Sequence, residues 1–445
     1  MAAAHDLQVD PNPKSHPDPE HPDPVVGPSK PRFLSVLGPG LITGASDDDP
    51  SGIATYSQAG AQFGYALGWT LVVSFPLMLA IQMIAARIGR VTGYGLARNV
   101  ARHYPAWLVL TLVLLVTGAN VINLGADLGA MGDSVGLVTG APRWILVIGF
   151  GVLSILMEVF LQYSRYVSIL KWITLAILSY VATLFMVKVP WGEALSGVVR
   201  PRLQWNFDYL TTVVAVLGTT ISPYLFFWQA SQEVEDIHAY PDREPLKRAP
   251  EQGKSALHRI ELDTITGMAA SNLVALAIVF TTAATLFVHH ITQIDTSAQA
   301  AQALRPIAGP YAATIFALGV VGTGILAIPV LAGSAAYAIG ESLGWKTGLG
   351  RKPMEARAFY GAIAIATLFG IAMNFAPIDP IRALYWSAVI NGVTAAPIMV
   401  VMMLLVTRRG VMGEFVARGW LVWLGWAGAA AMAACAAGMV ASWFI

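Results

Sequence analysis

Charged residues are scarce in this sequence, 12% of its 445 residues, against roughly a quarter in an ordinary soluble domain. Its 27 Lys and Arg nearly cancel its 26 Asp and Glu, leaving a net charge of +1. That balance offers no positive excess with which to hold a nucleic-acid backbone, so no nucleic-acid partner is expected. Cysteine is rarer still. The single thiol, Cys435, lies in an apolar run near the C-terminus, which excludes an intramolecular disulfide and a thiolate metal cluster within one chain. Residues 1–32 lack any apolar stretch, so they are neither a signal peptide nor a spanning helix. Rich in Pro, Asp and His, they read as a disordered cytoplasmic tail. Within it His5, His16 and His21 stand beside Asp18, Glu20 and Asp23. Such tracts can chelate a transition metal loosely, but a solvated tail is the preferred reading. A His-Glu zinc motif, a nucleophile elbow, a phosphate loop and an appended soluble domain are all missing. No enzyme chemistry and no cofactor are expected.

What the chain has is apolar length. It is 56% hydrophobic with a mean hydropathy of +0.61, a composition for lipid. A bilayer core of about 30 Å needs about 20 apolar helical residues, and eleven such runs emerge. They span approximately 34–64, 66–88, 106–136, 143–161, 167–189, 209–237, 260–288, 309–341, 357–374, 381–406 and 417–444. The expected fold is therefore an all-α polytopic membrane protein, with residues 33–445 as one transmembrane domain. Positive residues are retained on the cytoplasmic side. With the N-terminus inside, 21 of the 27 Lys and Arg fall in cytoplasmic loops. Only Arg143, Lys188, Arg200, Arg202, Arg305 and Arg382 fall outside, and the C-terminus is outside too. Five segments per repeat make the second half (about 207–406) an inverted copy of the first (about 33–190), with 417–444 an extra helix. Segments one and six, equivalent in that scheme, are also the two that carry interruptions, the pattern of a transporter whose substrate sits between unwound helices.

The first interruption reads Asp47-Asp48-Asp49-Pro50-Ser51-Gly52. Pro50 has no N–H and clashes with the preceding turn, and Gly52 weakens the helix further. A carboxylate at membrane depth is costly, at least about 2.5 kcal/mol, unless it meets a cation or water. Asp49 is read as a cation ligand. For Asp47 and Asp48, capping of the second half-helix in a wet vestibule is an equal reading. The second interruption reads Gly218-Thr219-Thr220-Ile221-Ser222-Pro223-Tyr224, where Pro223 should bare carbonyls around Gly218 and Thr219. Its alternative is a proline kink relieved by back-bonding from Thr and Ser. Carboxylate, carbonyl and hydroxyl oxygens suit Mg²⁺, Mn²⁺ or Ca²⁺. Neither break contains His, Cys or Met, so Zn²⁺ and Cu⁺ fit poorly. The candidate metal-binding residues are Asp49, Gly52, Gly218, Thr219 and Ser222.

Gly38-Pro39-Gly40, then Asp49-Pro50-Ser51-Gly52 and Gln58-Ala59-Gly60-Ala61-Gln62-Phe63-Gly64-Tyr65, closely resemble the first helix of the Nramp family of divalent metal transporters. Thr92-Gly93-Tyr94-Gly95-Leu96-Ala97, ending at His103-Tyr104-Pro105, resembles that family's second connection. The resemblance implies an inverted-repeat fold of the leucine-transporter type and cation uptake from outside. The chain also departs from the family. Gly52 stands where Nramp proteins carry Asn, and Ser222-Pro223-Tyr224 where they carry Met-Pro-His. Loss of the soft thioether removes a preference for transition metals, and the smaller residues would widen the pocket for Mg²⁺, which keeps several waters. By hand alignment, the acidic pair of the family's third helix falls on Asn120 and Asn123, which cannot titrate, and the His becomes Tyr224. In this the chain looks like the Nramp-related magnesium transporters. Asn120 and Asn123 are read first as interhelical hydrogen-bonding groups.

The expectation is an uncoupled Mg²⁺ and Mn²⁺ transporter of the cell membrane, working by alternating access as a monomer in the lipid bilayer. A proton-coupled Mn²⁺ or Fe²⁺ symporter is the alternative. A Na⁺-driven amino-acid carrier would want a Gly-rich first break, and three successive Asp residues argue against it. Gln229, Glu233 and Glu235 are candidates for the inner exit, and Asp127, Glu158 and Asn391 for the pathway, each balanced by a structural reading.

Overall fold

The computed structural model describes residues 43–44, 46–160, 178–201, 203–240 and 242–442. The unit Met1–Gly38, which holds the expected tail, lies outside the described residues. So do 161–177, where the fifth segment was expected to begin. All regular structure among the described residues is helical. The principal helices are α1 (Pro50–Phe63), α2 (Gly68–Thr92), α3 (Leu96–His103), α4 (Ala106–Thr139), α5 (Arg143–Phe160), α6 (Leu178–Met186) and α7 (Phe207–Thr220). They continue with α8 (Pro223–Ala239), α9 (Gly253–Thr285), α10 (Ala312–Ser342), α11 (Arg357–Met373), α12 (Pro380–Val406) and α13 (Trp420–Ala441).

Among the described residues, eight stretches are long and apolar enough to cross a membrane, where eleven segments were expected. The difference has local causes. One stretch, Pro50–Thr92, holds two expected segments, joined by the 3₁₀ turn Gly64–Leu67. The ninth segment, α11, is only 17 residues long, and α6 is the described part of the fifth. Three prolines, Pro76, Pro329 and Pro397, lie inside continuous helices, which neighbouring helices permit at membrane depth. Large apolar side chains such as Leu114 on α4 and Trp423 on α13 face outward, as lipid rather than water would favour.

The loops gather at two ends. At the Arg-rich end, the amides of Leu246 and Lys247 donate to the carbonyls of Arg90 and Val91 (3.2 Å each). There too the Arg87 guanidinium donates to the Phe415 carbonyl (2.9 Å). At the other end, Gln58 donates to the Thr292 carbonyl (3.1 Å) and accepts from the Ile294 amide (2.9 Å). Arg382 pairs there with Asp295 (2.9 Å) and Arg143 donates to Asn374 (2.8 Å). Loops assigned to one face of the membrane by the positive-residue count thus touch loops assigned to that same face.

Two carboxylates tie the Arg-rich end together. Glu341, on α10, accepts from the Ser231 hydroxyl of α8 (2.8 Å) and from the Arg98 amide in the first turn of α3 (3.3 Å). It thereby caps a helix from another segment. Glu235 accepts from the Tyr337 hydroxyl (2.8 Å) and the Leu349 amide (3.1 Å), holding the loop after α10.

Candidate functional site

The first broken helix restarts at Pro50, whose missing N–H is one that an N-terminus leaves unpaired anyway. Asp49 is its N-cap, in extended backbone (φ −65°, ψ 171°). Its Oδ1 accepts from the Ser51 hydroxyl (2.6 Å) and the Gly52 amide (2.8 Å). Its Oδ2 accepts from Asn123 Nδ2 on α4 (2.8 Å) and from the Tyr224 hydroxyl on α8 (3.3 Å). That carboxylate is fully buried, so four donors replace its water. The Asn123 amide is fixed in turn, because its Oδ1 accepts from the Ser387 hydroxyl of α12 (2.6 Å).

The second break lies between α7 and α8. Ile221 closes α7 by donating its amide to the Leu217 carbonyl (2.8 Å). The single hydroxyl proton of Ser222 then bridges the carbonyls of Gly218 and Thr219 (2.8 Å each). The bared carbonyls expected here exist, but the back-bonding of the alternative reading exists too, and each oxygen keeps lone-pair capacity for another partner. The two breaks abut. Tyr224 reaches both Asp49 and the Ser46 carbonyl (3.3 Å each), and a Cβ added at Gly52 would sit 3.2 Å from Thr219 Oγ1 and 3.3 Å from the Asp47 carbonyl.

Of the five candidates, Asp49 and Gly52 share a hydrogen bond and Gly52 abuts Thr219, while Ser222 joins the set through the carbonyls of Thr219 and Gly218. The Cα of Gly218 is turned to α12, where a Cβ would fall 2.1 Å from the Ala388 carbonyl. The three successive Asp residues diverge. Ser271 on α9 has its hydroxyl 2.8 Å from Asp47 Oδ2 and 3.2 Å from Asp48 Oδ1, away from the donors of Asp49. Among the described residues no three His, Cys, Asp or Glu side chains converge as a metal cluster.

The acid of the third helix is not lost altogether. Asp127 lies one turn beyond Asn123 on the same face of α4, fully buried and within reach of the Ser51 amide of the first break. Asn120 donates to the Leu331 carbonyl of α10 (3.1 Å), the interhelical role foreseen for it. Further along α8, Gln229 accepts from the Thr43 hydroxyl and Glu233 pairs with Arg259 (2.6 Å). Glu158 takes no part in the hydrogen bonds of either break. Ser387 was missed entirely, because one hydroxyl in an apolar run carries no signal before the helices are assembled.

The sequence profile of the Nramp family, described as Natural resistance-associated macrophage protein-like, matches residues 40–442. The chain is 26% identical over 396 residues to the divalent metal cation transporter MntH of Klebsiella pneumoniae (strain 342), covering 87% of this chain and 89% of that one. It is 30% identical over 301 residues to MntH of Yersinia enterocolitica, covering 66% and 69%. Its structure is similar to that of the Eremococcus coleocola manganese transporter, crystallised with an aromatic bis-isothiourea substituted compound (TM-score 0.69, 16% identity, 94% and 90% covered). It is also similar to MhsT in complex with L-phenylalanine (TM-score 0.53, 12% identity, 89% and 98% covered). At these identities the two structures speak for the fold alone, the inverted repeat of the leucine-transporter type with helices one and six broken. With a profile that spans nearly the whole transmembrane domain and two broken helices that meet at a buried Asp-Pro step, the chain belongs to the Nramp family of membrane transporters.

Proposed function

We propose that the chain moves the divalent cations Mg²⁺ and Mn²⁺ across the cell membrane by alternating access, as a monomer and without obligatory proton coupling. Its N-terminus would be cytoplasmic and its C-terminus outside. The named relatives are divalent metal cation transporters, which supports the class of cargo. The observation that carries the finer reading is the composition of the gap. One buried carboxylate, Asp49, binds the Gly52 amide, and Gly52 in turn abuts the Thr219 hydroxyl, with no sulfur or imidazole in either break. Hard oxygens around a single negative charge suit an ion that keeps much of its water. Asp49 would be the anionic ligand, the Gly218 and Thr219 carbonyls would supply oxygens, and Gly52 and Ser222 would set the width.

One observation favours a second reading. Asp127 keeps a titratable carboxyl a helical turn from Asn123, which a proton-coupled Mn²⁺ or Fe²⁺ symporter would use. Proteoliposomes loaded with a pH dye separate the two. Mn²⁺ uptake is expected to fall as external Mg²⁺ rises, with no change of lumenal pH. Acidification in step with metal entry would establish the symporter instead, and indifference to Mg²⁺ would remove Mg²⁺ from the cargo.

The width assignment has its own test. An Asn at position 52 would press its Cβ on Thr219 Oγ1 and push its amide into the gap. Gly52→Asn is expected to lower the Mg²⁺ rate relative to the Mn²⁺ rate about tenfold, or ~1.4 kcal/mol of discrimination. An unchanged ratio of initial rates would show that Gly52 does not set the width.

A further inference from the structure

One helical turn from the Asp49 contacts, a second set of polar atoms has no use in the site described so far. Helices α4 and α12 run antiparallel. α4 begins beside α3 at the Arg-rich end, and α12 begins at Pro380, beside the Arg382–Asp295 pair of the opposite end. They touch through Asn123 and Ser387. Stepping toward the Arg-rich end from that contact, the same helix faces present Asn120 (three residues back on α4) and Asn391 (four residues on along α12). The register puts these two side chains in adjoining positions, about 5 Å along the bundle from the Asn123 layer.

Both residues are fully buried. Asn391 has no hydrogen-bond partner for its amide oxygen or its amide nitrogen, and Asn120, whose nitrogen is held by Leu331, has none for its oxygen. Buried polar side chains almost always find partners, and exceptions call for an explanation. A direct amide pair between the two helices would supply one, but these side chains do not make it. What they offer instead is a pair of neutral oxygens and an N–H₂ group below a site that holds its ion by charge. Neutral amide oxygens accept well from the water shell of a hard cation and add no charge to trap it. A path needs that second kind of station, because an ion must be held firmly enough to enter and loosely enough to leave.

We propose that Asn120 and Asn391 form a second, uncharged cation subsite, one helical turn from Asp49 on the cytoplasmic side, which receives the divalent ion with part of its water shell. The inference rests on the reading of Asp49 as the charged cation site. Its test uses the full chain in proteoliposomes, with Mg²⁺ uptake, Mn²⁺ uptake and thermal unfolding measured on the same preparations. Asn391→Leu keeps the side-chain branching and removes both orphan atoms. It is expected to raise the melting temperature, leave the external KM within about twofold, and lower the maximal Mg²⁺ rate about tenfold. Asn391→Asp adds a charge and should do the converse to the ion, tightening apparent Mn²⁺ affinity while slowing turnover. A merely structural Asn391 would change stability without this split between affinity and rate. Wild-type turnover in Asn391→Leu would overturn the proposal. If that variant does not fold, unchanged affinity and turnover in Asn391→Asp would overturn it. Failure of the unmodified protein to take up either metal would bring down the reading of Asp49 as well. Wild-type behaviour of both variants in an active background would bring down the second subsite alone.

Discussion

Asp49→Asn is expected to lower Mg²⁺ and Mn²⁺ uptake at least about a hundredfold, ~2.7 kcal/mol in free-energy terms, while the protein still folds. Asn caps helices as well as Asp does, so the half-helix beginning at Pro50 keeps its start and the Ser51 and Gly52 donors keep an acceptor. What is removed is the negative charge, the only one among the candidate ligands. Asp49→Ala is a harsher change. It also deletes the cap, at about 1 kcal/mol, and leaves the Asn123 amide and the Tyr224 hydroxyl without their shared acceptor. Both variants would be compared with the parent by vesicle uptake and by thermal unfolding. A wild-type rate in Asp49→Asn would place the ion elsewhere.

The largest structural effect is expected at Gly218, where helices α7 and α12 come closest. A Cβ there would lie 2.1 Å from the Ala388 carbonyl, 2.4 Å from the Gly392 amide nitrogen and 2.7 Å from the Gly392 Cα. These are backbone atoms, which cannot swing aside, and the facing residue is itself a glycine. Close approach through small residues is how membrane helices gain dispersion contact without a hydrophobic driving force between them. Gly218→Val should destabilise the fold by about 3 kcal/mol, the upper part of the usual overpacking range, and in a marginal membrane protein that means little folded material. Gly361→Ala, on α11 with nothing within 4 Å of the added Cβ, is the matched control and should melt at or above the parent temperature. Equal melting of the two variants would show that the α7–α12 contact yields more easily than its geometry implies.

The two breaks were legible in the sequence because each joins a proline to a residue that can cap or back-bond. Asp49 accepts from the Gly52 amide, and Ser222 turns back on Gly218 and Thr219. Proline by itself was not the signal, since Pro76, Pro329 and Pro397 sit in unbroken helices. Helix ends and the grouping of loops followed from apolar length and positive residues. Directions within the gap did not. Three consecutive Asp residues look alike in sequence, yet Asp47 and Asp48 turn to Ser271 and Asp49 to Asn123 and Tyr224, a choice made by helices more than 70 residues away. Gly218 looked like pocket lining and is packing on its Cα side, because its orientation depends on where α12 lies. Asn120 and Asn123 drew notice as replacements for an acidic pair, while Asp127 stayed a lesser candidate. Its closeness to the first break appears only when the helix face it shares with Asn123 is seen in the fold.

The carboxylate of Glu341 makes the Arg-rich end a machine of linked parts. It is gripped on one side by Ser231, two turns past the second break, and on the other by the first turn of α3. If α8 swivels away by much more than an ångström or so, those bonds lengthen past useful range, and a buried carboxyl group is left short of partners. Such a group needs water at once. The half-helix therefore cannot open dry: either α3 travels with it, or solvent floods the joint at the moment of parting.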